Sequence, residues 1–199
     1  GALDMSSGQG GLVSGAVSIH TGSASEVSGE ALITTGSVEN GRSGRISVLS
    51  SHGGAESGSV ELGSGSSRGS SGPISIFSGA SEDASGSVAI KSGTASSNGI
   101  SGALVFTSGS SAHGRSGAVD IQSGSSSNSE SGAITLSVGT SSSGDGANML
   151  SQAGASSNAH AGTVVIQSGA GVQSGDVLLR TATASRRTGS IALVTGTSS

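Results

Sequence analysis

Aliphatic residues along this chain come in pairs spaced two apart, then give way to serine, glycine and other small or polar residues, and the unit recurs fourteen times. Each unit opens on a glycine: Gly1, Gly15, Gly29, Gly44, Gly58, Gly72, Gly86, Gly102, Gly117, Gly132, Gly146, Gly162, Gly175 and Gly189. With that glycine as position zero, position two holds Leu3, Val17, Ile46, Val60, Ile74, Val88, Leu104, Val119, Ile134, Val164, Val177 and Ile191, and only Ala31 and Asn148 depart. Position four holds Met5, Ile19, Ile33, Val48, Leu62, Ile76, Ile90, Phe106, Ile121, Leu136, Leu150, Ile166, Leu179 and Leu193 without exception. A spacing of two is the period of a strand with one buried face, and β-branched residues suit its pleated surface. The pattern predicts a short strand at the head of every unit, while glycine and β-branched residues oppose helix throughout.

Successive glycines lie 13 to 16 residues apart, a period short and steady enough for a solenoid in which each unit buries its apolar side by stacking on its neighbours. The expected fold is therefore all-β: a parallel β-solenoid of about fourteen coils of 13–16 residues, with a thin Val/Ile/Leu core, forming one domain over residues 1–199. Stacked at about 4.8 Å per coil, it would make a rod on the order of 60 Å long. Position nine is compact (Ala24, Val38, Gly53, Ser67, Ser81, Ala95, Ser111, Ser126, Ser141, Ala155, Gly171, Ala184) and reads as an opposing wall that closes on the aliphatics. Extra residues at Asn98-Gly99-Ile100, Ala112 to Arg115 and Asn158-Ala159-His160 fall in the polar half, where insertions cost little. Asn40-Gly41 and Asn98-Gly99 are turn dipeptides, and the single proline, Pro73, stands at a strand entrance. An antiparallel meander would need seven-residue loops and would lose the like-on-like columns. On this fold, Ile121→Ser would remove a buried side chain at a cost of about 2–4 kcal/mol.

Composition alone points the other way. Glycine numbers 37, aromatics are 1% and charged residues 10%, values typical of flexible linkers. Leu, Ile, Val and Phe make up 39 of 199 residues, near the level below which chains do not order themselves. Twenty-five of those 39 occupy the two columns, and that placement argues for structure.

The net charge of −4, the dispersed Lys and Arg and the lack of aromatic platforms exclude a nucleic-acid binder. No run of about eighteen apolar residues exists to insert into a membrane. Without cysteine there is neither a disulfide framework nor a thiolate metal site. His20, His52, His113 and His160 occupy different offsets, so no base recurs beside the many serines. Asp4, Glu61 and Asp120 share position three in distant repeats, which is not the every-coil aspartate of a calcium-binding roll. Glu82-Asp83 reads as a solvated corner and Arg186-Arg187 as a solubilising pair. The expectation is no catalytic residue, no cofactor and no metal.

The candidate surface is the column pair at positions six and eight: Thr21 and Ser23, Thr35 and Ser37, Ser64 and Ser66, Ser92 and Thr94, Ser108 and Ser110, Ser123 and Ser125, Thr181 and Thr183, Thr195 and Thr197. These pairs resemble the Thr-x-Thr ladders of antifreeze β-solenoids, and the whole pattern resembles Gly/Ser-rich parallel β-solenoid repeats of secreted adhesins and wall proteins. The resemblance implies spacing, adhesion or assembly: a non-enzymatic structural rod, extracellular or at the cell surface, giving length and a hydroxyl-rich face. The alternatives are an ice-binding solenoid that uses the position-six and position-eight hydroxyls, and a glycan-binding module, disfavoured because Phe77 and Phe106 are the only aromatics. Uncapped first and last repeats imply a piece of a longer array, or copies that associate through their ends or neighbouring repeats.

Overall fold

The computed structural model describes residues 1–96 and 99–197, and among these there is neither helix nor strand. The expected parallel β-solenoid is not formed. No described residue is buried, so the thin Val/Ile/Leu core is absent as well. The chain exposes 20382 Å². A folded globule of its 18.5 kDa would expose about 8,200 Å² and a fully extended chain about 26,800 Å². It stands much nearer the second limit.

The cause is visible in the repeat. Two aliphatic side chains per unit offer little apolar surface to set against the backbone entropy of ordering fourteen residues, several of them glycine, whose entropy loss is the largest of any residue. Position-two side chains are half exposed (Ile74 50%, Ile134 49%) and position-four side chains more so (Ile76 65%, Leu136 68%). Column spacing without burial is what these residues achieve.

The period nevertheless appears in the backbone. Two units can be distinguished, Gly1–Gly102 and Ala103–Ser199. In the first the chain bends at 11–12, 25–26, 39–41, 54–55, 68–69 and 82–83. In the second it bends at 112–114, 127–129, 142–144, 157–159, 171–173 and 185–186. Each bend falls at or just after position nine, so this column is the corner of the repeat and not the opposing wall that its small residues suggested. The 15- and 16-residue repeats whose bend is described carry a three-residue bend, but so do the 14-residue repeat at Gly132 and the 13-residue repeat at Gly162, so the length of the bend does not follow the length of the repeat. Asn40-Gly41 sits in such a corner, and Gly41 adopts φ +148°, a conformation that favours glycine. Asn98, of the other turn dipeptide, lies outside the described residues, as does Ser199 at the end of the last repeat.

Candidate functional site

Two local devices recur among the corners. At four of the five described position-nine serines, Ser81 being the exception, the hydroxyl accepts a hydrogen bond from an amide two or three residues on: Gly69 N–H to Ser67 Oγ (3.1 Å), Gly114 N–H to Ser111 Oγ (3.0 Å), Ser129 N–H to Ser126 Oγ (3.1 Å) and Gly144 N–H to Ser141 Oγ (3.0 Å). Ser156, one place later in its repeat, does the same for Ala159 N–H at 3.0 Å. Side-chain acceptors of this kind stabilise turns in place of a backbone carbonyl. Where position nine is glycine the fit is steric: a Cβ on Gly10 would collide with the Val13 carbonyl, and one on Gly53 with the Glu56 carbonyl.

The corner folds position six back onto the next repeat's glycine. A Cβ built on Gly15 would lie 3.6 Å from the Ser7 Cβ, and one on Gly58 would lie 3.7 Å from the Ser50 Cβ. Ser7, Ser78 and Ser168, all at position six, are among the few partly covered residues of the chain. Val138, which takes position six in its repeat, is the least exposed of the large hydrophobics at 43%. The least exposed column is thus a hydroxyl column and not an aliphatic one.

The candidate hydroxyls divide along this line. Thr21, Thr35, Ser92, Ser108 and Thr181 turn toward Gly29, Gly44, Gly102, Gly117 and Gly189, with side-chain carbons 3.3–3.8 Å from a Cβ placed on each glycine. Ser64 and Ser123 make no such approach, because the space beside Gly72 and Gly132 is open. Position-eight partners Ser23, Ser37, Ser66, Thr94, Ser110, Ser125, Thr183 and Thr197 are exposed, as is Thr195 in the last repeat. Ser92 and Thr94 line one open recess, and Thr181 and Thr183 another. The hydroxyls repeat, but no sheet holds them at a fixed lattice spacing. The position-nine serines that organise the corners were missed as a functional column. For Ser67, Ser111 and Ser141 the signal is a serine with glycine two or three residues on, as in Ser67-Arg68-Gly69 and Ser141 to Gly144, and Ser126, whose donor is Ser129, does not carry it.

Elsewhere two open grooves lie between the extended halves of neighbouring repeats. One is lined by Asp4, Met5, Ser6, Val17, Ser18, Ile19 and His20, another by Phe106, Val119, Asp120 and Ile121. Asp4 and His20 thus share a groove, yet the second groove carries an aspartate and no histidine. No group of three His, Asp or Glu side chains gathers among the described residues. No helix among them is long and apolar enough to cross a membrane. Comparison with protein-family models, curated proteins and solved structures finds no match.

Proposed function

We propose that this chain is a non-enzymatic structural repeat segment of an extracellular, cell-wall or adhesin-like protein, giving length and a hydroxyl-rich, weakly charged surface. The observation that carries this reading is that the corner and the position-six closure recur from repeat to repeat while no reactive group recurs with them. Most repeats close on their own local contacts, so length is set by repeat number. Serine and glycine keep the surface hydrated without the charge that would attract ionic partners. A structural segment of this kind tolerates loss of whole units. Removing residues 117–131, and then 117–145, should lower the hydrodynamic radius in steps while amide spectra of the remaining repeats stay unchanged. A radius indifferent to repeat number, or spectra that collapse on losing one unit, would overturn the reading.

A further inference from the structure

The extended half that opens at Gly175 differs from the others. It reads Asp176-Val177-Leu178-Leu179-Arg180, the one repeat with opposite charges at positions one and five and large aliphatics at two, three and four. Its ends are closed locally. Gly175 N–H donates to the Gly169 carbonyl at 3.2 Å, and the Thr181 Cγ2 lies 3.5 Å from a Cβ built on Gly189. Between these closures all five side chains are exposed, Leu178 at 75%. Among the described residues only Gly162 N–H to Gly154 O and Gly175 N–H to Gly169 O join backbone to backbone, so the amides and carbonyls of 176–180 are unpaired.

We propose that two copies of this chain pair antiparallel through residues 176–180. Laid antiparallel about Leu178, the segment is complementary to itself. Asp176 of each copy faces Arg180 of the other, Val177 faces Leu179, and Leu178 faces its own counterpart. Directly opposed residues share a face of such a pair, so both ion pairs flank Leu178 on one face and the four remaining aliphatics fill the other. The two-fold symmetry means one five-residue sequence supplies both sides, and unpaired extended backbone supplies the hydrogen bonds.

The same two-fold places the preceding repeat of one copy toward the following repeat of its partner. Those repeats add exposed Val165 and Ile166 on one side and Ile191 and Leu193 on the other. Charge decides the occupant: an acidic or basic peptide would satisfy one end of the segment and be repelled at the other, whereas a second copy satisfies both.

This inference goes beyond the structural-repeat reading and does not depend on it. Sedimentation of the full chain over a wide concentration range should show a reversible dimer, with amides 176–180 protected from exchange only in the dimer. Asp176→Arg and Arg180→Asp should each weaken dimerisation at least tenfold, since each sets like charges opposite. An equimolar mixture of the two variants should restore it, because the segment of one variant is then basic at both ends and that of the other acidic at both. The double exchange in one chain should also restore it. Neither position is buried within one chain, so loss of folding does not confuse the result. A wild-type chain that stays monomeric, single variants that dimerise as well as wild type, or a mixture that fails to associate would each overturn the proposal.

Discussion

From Ser126 to Ser129 the chain turns a corner on one hydroxyl, 3.1 Å from the amide that it accepts. From Gly117 to Gln122, in the same repeat, it runs extended through Val119 and Ile121, which are 55% and 70% exposed, with no backbone hydrogen bond. The two stretches are similar in length and differ in the range of the forces they use. The corner is specified within four residues, by hydrogen bonding and by the small size of glycine. The extended half carries the stronger sequence pattern, but a strand is stable only against a partner, and each strand partner must be ordered too. Regularity of sequence therefore leads to regular structure here only where the interactions are local.

The sharpest way to break that contrast is at Gly53. A Cβ there meets the Glu56 carbonyl, so Gly53→Ala should cost the corner more than about 1 kcal/mol, at least a fivefold loss of the closed form. The check is the nuclear Overhauser contact between the Ser50 β-protons and the Gly58 α-protons, which closure of this loop brings together. Gly54→Ala is the matched control, because a Cβ at Gly54 meets nothing within 4 Å. Its contact should survive. Equal loss in both variants would show that glycine content, and not the corner's shape, controls closure.

Gly41 tests the same half by dihedral angle. With φ at +148°, Gly41→Ala should cost about 1 kcal/mol or somewhat more. Chemical shifts of residues 39–42 should move while those of the corner at 25–26 stay fixed. Ser126→Ala comes next. It removes an exposed acceptor, so the expected cost is about 0.5 kcal/mol, at the low end for a single hydrogen bond. Amide exchange at Ser129 should quicken about twofold, and that at Gly144, whose acceptor is Ser141, should not change.

These differences follow what could be read from the residues alone. The repeat boundaries, the polar position of Ala112 to Arg115 and Asn158 to His160, and the turn at Asn40-Gly41 were all legible, because each is a local property of a short peptide. The strands were not. Position two and position four alternate as strands do, but alternation reports which face could be buried and says nothing of whether burial repays the ordering of a glycine-rich backbone. Position nine was misread for a related reason. Small residues suit a packed wall and a tight corner equally, and only the serine-to-amide spacing of Ser67-Gly69 or Ser111-Gly114 separates them. Among the candidate hydroxyls the column was legible, while its division into glycine-facing Thr21 and Thr181 and open Ser64 and Ser123 depends on how each corner closes.

The smallest expected effect is the most discriminating for the extended half. In a solenoid Ile121→Ser would remove a core side chain at about 2–4 kcal/mol. Here Ile121 is 70% exposed and borders an open groove with Phe106 and Val119, so most of its apolar surface already meets water. The expected change is within about 0.5 kcal/mol, as for surface substitutions generally. Closure of the neighbouring loops, read from the Ser108–Gly117 contact, should be unaltered, because that contact depends on the corner at 112–114 and not on the aliphatic pair. A loss of more than about 2 kcal/mol, or loosening of the adjoining repeats, would mean that position four is buried after all and that the two halves are coupled. Indifference at Ile121 beside sensitivity at Gly53 would establish that the order of each repeat resides in its corner.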